Sequence, residues 1–413
     1  MSCLPAFKIR LIALGLAVAL LLGGCSTQTP MSTLDAKEPI AQMQLDLFML
    51  TLWVTGFIFV TVGGALVYAL IRFRARPEDR DKPVPAQGHG SRWAELALAF
   101  FSITCLVSVA IPTVKGIWMM EELPDRVQEE GVINIHVTGY QWWWEFEYRN
   151  EAGSFVTANE LVIPVNRVVQ LHLRANDVLH SFWLPKLAGK QDLIPGRKSS
   201  LWIEANETGH YYGQCAEYCG EAHAYMLFRT DVLSQEDYAA WVERQQQPAD
   251  GPDGQDWEAF YSVIDNPEAD PAAYQALLAN PIQDGARLFM TKGACVQCHA
   301  IRGSRAVGVA GPNLTYFGQR KTVGAGLLDN RPDKRGQLAP PPTPEVLQAW
   351  LDDDTQVRSG NRQLDNIYRW IRHSEDVKPG NLMYRSLRKL DSDAMLLTDA
   401  EFKRIAAYLQ TLK

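Results

Sequence analysis

Excess charge and cysteine are both scarce in this 413-residue chain, and each scarcity excludes a class of protein. The formal net charge is only −7, so the chain lacks the basic excess of a nucleic-acid-binding protein, and no nucleic-acid partner is expected. Only seven cysteines are present. Four of them form two tight pairs, which indicates two cofactor sites rather than a disulfide framework. A chain of this length predicts two or three domains.

The N-terminus has the features of a targeting segment. Lys8 and Arg10 precede an apolar run, 11–22, that is too short to cross a bilayer comfortably, and small residues lead to Cys25. This pattern resembles a bacterial lipoprotein signal, which is cleaved before a cysteine that then carries lipid. A plain signal peptide and an anchor with an incidental cysteine are the alternatives. We therefore predict a signal peptide over 1–24 and lipidation of Cys25.

Two long apolar runs predict a transmembrane hairpin within residues 25–120. The run 47–71 carries no charge, and a second run extends from Leu96 to the residue before Lys115. The loop between them is rich in arginine and lysine, which predicts that the loop is cytoplasmic and that the rest of the chain lies outside. From its position alone, Glu95 is an interfacial carboxylate, although an ionisable group there could also admit protons to a partner subunit.

The pattern changes to approximate alternation after Val132. The segments INIHVTGYQWWWEFEY and LVIPVNRVVQLHLRA are rich in β-branched and aromatic residues. They predict an all-β domain over 121–244, folded as an antiparallel sandwich or barrel and closed by a helix. A segment rich in Gly, Pro and Gln then begins a linker, 245–282.

The stretch GQCAEYCGEAHAYM concentrates soft metal ligands in the β-domain. It supplies Cys215, Cys219, His223 and Met226, and His180 lies 35 residues before the first cysteine. A disulfide would close a very small loop, and zinc would leave the methionine without a purpose. A single blue copper uses one cysteine, whereas two thiolates, two imidazoles and a thioether suit two copper ions bridged by both sulfurs.

A second redox motif, CVQCH, lies in the C-terminal part of the chain. This is the attachment motif of a c-type haem, in which Cys295 and Cys298 would bond to the porphyrin and His299 would bind the iron. A thioredoxin-like dithiol is the alternative, but the sequence has no βαβ pattern to support it. A methionine as second axial ligand would suit electron transfer. Met383 is the first candidate for that ligand, and Met395 is the second.

The copper-ligand pattern resembles subunit II of cytochrome c oxidase. The motifs NDVLHSFW and GQCAEYCGEAHAYM, the aromatic segment GYQWWWEFEY and the N-terminal hairpin carry this resemblance over about residues 45–233. It implies a cupredoxin-like fold and a binuclear copper centre, Cu-A. The implied ligands are two bridging thiolates, two imidazoles, a thioether and a carbonyl: Cys215 and Cys219 as bridges, His180 with Met226 on one copper, and His223 with the backbone carbonyl of Glu217 on the other.

The same resemblance implies roles for three side chains outside the copper ligand set. The Glu217 carboxylate would reach a magnesium ion shared with subunit I, and Trp142 would receive electrons from the donor. Glu95 aligns with the acidic residue at the entrance of a proton channel. The tryptophan and proline that usually follow this glutamate are missing from the segment ELALAFFSIT.

The C-terminal residues 283–413 resemble a class I cytochrome c, which is an all-α domain. GPNL at 311–314, VKPGNLMYR around Met383 and the terminal LTDAEFKRIAAYLQTLK carry this resemblance. Tyr384 stands where a proline commonly follows the ligand methionine. The resemblance implies one covalent haem c.

Together these features predict subunit II of a terminal cytochrome c oxidase with a fused cytochrome c. It would lie in the bacterial inner membrane with both redox domains on the periplasmic face. Electrons would pass from an external donor, such as a cytochrome c or a quinol–cytochrome c reductase, through haem and Cu-A to the oxygen site in subunit I, coupled to proton translocation. Subunit III is a further expected partner. The alternatives are a nitric oxide reductase subunit and a non-catalytic copper-binding lipoprotein.

Overall fold

A computed structural model gives the fold of the chain. It describes residues 28–74, 76–77, 88, 90–150, 153–331, 338, 340, 342–353, 357–389 and 394–413. The predicted signal peptide and the predicted lipidation site, Cys25, lie outside the described residues.

Two long helices precede the β-domain: α1, Pro39–Arg72, and α2, Arg92–Glu121. Both are long and apolar enough to cross a membrane by length and composition. They lie against each other as a hairpin, with the rings of Phe57 and Phe101 5.8 Å apart. Most of their remaining apolar side chains are exposed, as is required of helices that face lipid. The predicted hairpin is therefore present.

Ten strands form two five-stranded sheets, and a short helix, α3 (Val127–Glu130), precedes them. The strands are Ile133–Tyr140 (β1), Trp143–Asn150 (β2), Gly153–Ala158 (β3), Glu160–Pro164 (β4), Val169–Ala175 (β5), His180–Trp183 (β6), Lys190–Leu193 (β7), Ser199–Ile203 (β8), Gly209–Cys215 (β9) and Leu227–Leu233 (β10). The sheet orders are β3-β2-β1-β5-β8 and β4-β10-β9-β6-β7. The closing helix, α4, spans Gln235–Gln246.

The sandwich confirms the predicted fold class, but it is not wholly antiparallel. Strand β1 pairs in parallel with β5, and β10 pairs in parallel with β4. The chain leaves the first sheet after β3, adds β4 to the second sheet and returns at β5. Strands that are distant in sequence thereby become neighbours that run in the same direction, which period-two alternation alone does not reveal.

Aromatic side chains fill the space between the two sheets. Trp144, Phe146, Phe182 and Phe228 are fully buried, and the rings of Phe182 and Phe228 stack 4.4 Å apart. Each such phenylalanine contributes roughly 1.5–3 kcal/mol through burial. This rigid core carries strands β6, β9 and β10, whose ends hold the predicted copper ligands.

The C-terminal part is mainly helical, as predicted for a cytochrome c. Its helices are Trp257–Asp265 (α5), Pro271–Ala279 (α6), Pro281–Met290 (α7), Pro344–Asp352 (α8), Arg362–Arg372 (α9), Ser374–Val377 (α10), Leu382–Ser386 (α11) and Asp399–Thr411 (α12). Helix α12 packs against α7, with the rings of Phe289 and Tyr408 5.8 Å apart. Strands Thr322–Val323 (β11) and Leu328–Asp329 (β12) form a small hairpin.

The predicted linker, 245–282, contains α5 and α6. Trp257, Phe260 and Leu277 from this segment are buried in the same apolar core as the helices that follow. These side chains tie the segment to the helical domain. The boundary at 282/283 remains a prediction, and the segment before it packs with the haem domain.

The helical domain docks directly on the β-sandwich. Arg320 donates to the Ala158 carbonyl at 2.6 Å, and Arg229 donates to the Gly326 carbonyl at 2.6 Å. The backbone N–H of Thr322 donates to a carboxylate oxygen of Glu160 at 2.7 Å. These contacts join the two domains through buried hydrogen bonds rather than through the chain connection alone.

The hairpin orientation can be tested with fusions. Because basic residues such as Arg72, Arg74 and Arg92 lie at the loop ends of α1 and α2, that loop is expected in the cytoplasm. A reporter active only in the periplasm should be silent at Gly88 and active after Lys413. A cytoplasm-only reporter should give the reverse pattern, and periplasmic activity at Gly88 would show that the orientation is wrong.

Candidate copper and haem sites

Strand pairing brings the predicted copper ligands to one end of the second sheet. His180 is the first residue of β6, and Cys215 is the last residue of β9. These strands are neighbours, with Phe182 opposite Cys215. The loop after β9 carries Cys219 and His223, and it returns to the sheet at Met226, just before β10.

The donor atoms of His180, Cys215 and the loop after β9 converge on one small volume. The two sulfurs, Cys215 Sγ and Cys219 Sγ, are 3.9 Å apart. His180 Nδ1 lies 4.0 Å from Cys215 Sγ, while His223 Nδ1 lies 3.6 Å and Met226 Sδ 3.8 Å from Cys219 Sγ. A disulfide would need an S–S distance of about 2.05 Å. Both thiols are free in this arrangement.

The site is buried, and its two thiols differ in acidity. His180 and Met226 are fully buried, and each cysteine is only 4 % exposed. The hydrogen bond between the two sulfurs lowers the pKa of Cys215 and raises the pKa of Cys219. A buried pair with one thiolate already favoured is a strong ligand set for a soft metal ion.

Asp177 orients His180 and was not identified from the sequence. Its Oδ1 lies 2.8 Å from His180 Nε2, which leaves His180 Nδ1 facing the sulfurs. Burial disfavours the charged imidazole, yet the hydrogen bonds to Asp177 and Cys215 raise the pKa of His180 overall. A carboxylate that fixes the ring of a metal-binding histidine is a recurrent feature of metal sites. The position of Asp177 three residues before His180 in NDVLH could have indicated this contact.

Gly139 provides the space that His180 occupies. A Cβ added at Gly139 would lie 2.9 Å from His180 Cδ2. Any side chain at this position on β1 would therefore displace the imidazole from the sulfurs.

The segment 215–226, called the copper loop from here on, is also held by two hydrogen-bond donors from the turn between β1 and β2. Gln141 Nε2 and Trp142 Nε1 donate to the Cys219 carbonyl at 2.7 Å and 2.9 Å. The half-buried Trp142 is thus one hydrogen bond from a copper-ligand residue. Gln141 was not identified from the sequence, although it directly precedes the tryptophan.

The two glutamates predicted from the family resemblance lie in different places. The Glu217 carbonyl is 3.2 Å from Cys215 Sγ, so this carbonyl faces the convergent donors. Its side chain is half-buried. Glu95 lies in the first turn of α2 and is exposed; the structure does not bring it near the copper loop.

The residues at the copper loop fit a soft metal centre. Thiolates, imidazoles and a thioether are the ligands that copper prefers over harder cations. The sulfurs lie between the two imidazoles, which suits a bridging role.

His299 is prepared to bind iron through its Nε2 atom. Its Nδ1 donates to the Pro312 carbonyl at 2.8 Å, which fixes the ring and leaves Nε2 available. Burial lowers the pKa of His299 and raises the pKa of Cys295 to about 12. A Cβ at Gly311 would lie 2.7 Å from His299 Cε1, so the first residue of GPNL must be small.

The haem domain has further features that fit a covalent haem. The buried Tyr408 hydroxyl and Trp350 indole N–H have no hydrogen-bond partner among the described residues. Unpartnered buried polar groups of this kind fit a domain that encloses a ligand with polar edges. Met383 and Met395 both pack against the domain core, so the choice of axial ligand remains a prediction.

Comparisons with known proteins place both domains. The family described as "Cytochrome C oxidase subunit II, periplasmic domain" matches residues 151–232, and the family "Cytochrome c" matches residues 282–413. A cytochrome c oxidase subunit 2 from Alkalihalophilus pseudofirmus is 33% identical over 345 residues, which are 83% of this chain and 88% of that protein. The chain belongs to the cytochrome c oxidase subunit II family.

Other members of this family cover nearly the whole chain. The cytochrome c oxidase subunit 2 of Bacillus subtilis is 27% identical over 401 residues, 93% of this chain and 98% of that protein. Among solved structures, the periplasmic domain of cytochrome oxidase subunit II from Bradyrhizobium japonicum is 36% identical. It covers 28% of this chain and 93% of that domain, with a TM-score of 0.27.

The axial-ligand assignment predicts different outcomes for the two methionines. Met383→Ala should abolish the weak far-red sulfur-to-iron band and lower the haem midpoint potential, because a thioether ligand favours the ferrous state. Met395→Ala should leave both unchanged. The optical spectrum and a redox titration of each variant measure this, and a swapped result would assign the iron to Met395.

Proposed function

We propose that this chain is subunit II of a terminal cytochrome c oxidase and passes electrons from an external donor to subunit I. The observation that carries the proposal is a convergent Cys–Cys–His–His–Met donor set, buried except for the half-buried His223, in a sandwich that is docked to a cytochrome c domain in the same chain. Membership of the subunit II family supports the same role. Oxygen reduction would occur in subunit I, since we assign no catalytic residue to this chain.

The residues of the copper loop would hold two copper ions. Cys215 and Cys219 would bridge them, with His180 and Met226 on one side and His223 and the Glu217 carbonyl on the other. When bound, such a pair gains and loses one electron shared between both ions. The protein's contribution is to exclude water and to fix the ligands on rigid strands, so that little rearranges when the charge changes.

The haem domain would receive electrons first. His299 and Met383 would bind the iron of a haem c attached through Cys295 and Cys298, and Trp142 would lie on the route to the copper loop. The haem domain would accept these electrons from a cytochrome c or from a quinol–cytochrome c reductase.

The two apolar helices support a proposed placement of the chain in the complex. It is a membrane protein with periplasmic domains, and we propose the bacterial inner membrane with lipidation at Cys25. The hairpin would contact subunit I, with subunit III as a further neighbour. We also propose that the Glu217 carboxylate binds a magnesium ion shared with subunit I, and that Glu95 lies at a proton-channel entrance.

The central test is Cys219→Ser in the assembled complex. Both thiolates are needed to keep the two coppers equivalent, so the variant should lose the seven-line copper hyperfine pattern of the oxidised centre. At most one copper should remain per chain. Oxygen consumption should collapse, while covalent haem and its reduction by an external donor should survive.

Cys105→Ser is the matched control for this test. Cys105 is a free cysteine within α2, away from the copper loop, so its replacement should leave the copper spectrum and oxygen uptake unchanged. Near-normal oxygen uptake by the Cys219→Ser complex with intact haem would show that the copper pair is not on the electron path. Consumption of nitric oxide but not oxygen by the wild-type complex would instead identify a nitric oxide reductase subunit.

A further inference from the structure

A lysine of the haem domain is buried against the copper loop. Lys378 lies in the VKPG segment between α10 and α11 and is only 3 % exposed. Its ammonium donates to the backbone carbonyl of Trp142, which belongs to the sandwich. Haem-domain and copper-domain residues that are 236 positions apart in sequence are thereby joined.

This contact is one link in a continuous chain of bonds between the two sites. On the copper side, Trp142 Nε1 donates to the Cys219 carbonyl at 2.9 Å. On the haem side, Asn381 Nδ2 donates to the Lys378 carbonyl at 2.7 Å. Asn381 also caps α11, by accepting from the backbone N–H of Tyr384 at 3.0 Å. Helix α11 carries Met383, the predicted iron ligand.

The backbone next to Lys378 is pressed against the copper domain. A Cβ at Gly380, whose φ is +77°, would lie 2.4 Å from the carboxylate oxygen of Glu221. The N–H of Gly380 donates to Glu375 Oε1 at 3.1 Å, which fixes this turn from the haem side. The positive φ disfavours any side chain at Gly380, and the Glu221 side chain lies directly against this turn.

Burial of the Lys378 amine requires a hydrogen-bond acceptor, and the docked copper domain supplies one. Removing a charged amine from water is unfavourable unless the amine is hydrogen-bonded, and burial lowers the pKa of Lys378 to about 7. Among the residues that the structure describes, no carboxylate forms a salt bridge with it. The Trp142 carbonyl accepts the hydrogen bond of the buried amine in the docked arrangement.

We propose that Lys378 is a positioning residue that holds the haem domain against the copper loop for electron transfer from haem to Cu-A. The proposal rests on the function proposed above. With both groups bound, one electron would pass from the haem held by His299 to the copper held by Cys215 and Cys219, and no bond would form or break.

The test compares three variants in the purified, fully assembled complex. Lys378→Met keeps the length of the side chain but removes its donor, and Lys378→Arg keeps a donor and a charge. Lys403→Met is the matched control, because Lys403 is 1 % exposed and donates to the carbonyls of Trp350 at 2.8 Å and Asp353 at 2.6 Å, all within the haem domain. Flash reduction of the haem is followed by its reoxidation as Cu-A is reduced.

Lys378→Met should slow this internal transfer by about tenfold, since one lost hydrogen bond shifts the local equilibrium between the positioned and displaced 376–384 segment by that order. Lys378→Arg should recover part of the rate, and Lys403→Met should stay close to wild type. Reduction of the haem by the external donor, the far-red band and the copper spectrum should be unchanged in Lys378→Met.

Hydrogen exchange provides a readout that is independent of activity. In Lys378→Met, amide exchange should accelerate in both facing segments, 139–144 and 376–384, but not in α12. Acceleration in 376–384 alone, a wild-type transfer rate, or loss of the far-red band would each overturn the positioning role. Absence of haem-to-copper transfer in the wild-type complex would instead count against the proposed function itself.

Discussion

The backbone carbonyl of Cys219 is the point on which the organisation of the redox sites depends. It accepts hydrogen bonds from Gln141 and Trp142, and this fixes the loop that presents both sulfurs. The Trp142 backbone carbonyl in turn accepts a hydrogen bond from the ammonium of Lys378, which belongs to the haem domain. A carbonyl with two such donors cannot move without leaving buried polar groups unpaired, at a cost of about 1–3 kcal/mol each.

The copper and haem sites restrict their histidines by the same two means. In each, one ring nitrogen is occupied by an oxygen acceptor, which is the Asp177 carboxylate for His180 and the Pro312 carbonyl for His299. In each, a glycine lies against the ring, at Gly139 and at Gly311 respectively. Electron transfer benefits from ligands that keep their positions in both oxidation states, and these contacts fix the rings before any metal binds.

Local motifs indicate candidate ligands because cofactor chemistry demands particular residue types at short spacings. CAEYCGEAHAYM and CVQCH each place several donors within one turn or loop, so the loop around Cys215 and the histidine His299 were identifiable from the sequence. Alternation likewise predicted the sandwich. Asp177 was missed because an aspartate before a strand has many roles, and only the fold shows that it contacts His180.

Long-range relationships were beyond the reach of sequence patterns. The parallel pairing of β1 with β5 depends on a crossover between sheets. The polar composition after Gln245 predicted a linker, yet Trp257 and Phe260 become part of the haem-domain core. Docking of the two domains depends on side chains that meet backbone carbonyls, such as Arg320 at Ala158. Every residue has a backbone carbonyl, so the sequence does not show which carbonyls accept hydrogen bonds. Neither the interface nor the role of Lys378 was therefore predicted.

The central claim is that the haem and the copper pair work as one docked unit. The most direct test is the rate of haem-to-copper electron transfer in the dilute wild-type complex as glycerol raises the solvent viscosity. A docked unit predicts a single exponential phase whose rate does not change with viscosity or with protein concentration. A rate that falls in proportion to viscosity would show that the haem domain must diffuse to the copper loop before each transfer, and would contradict the account.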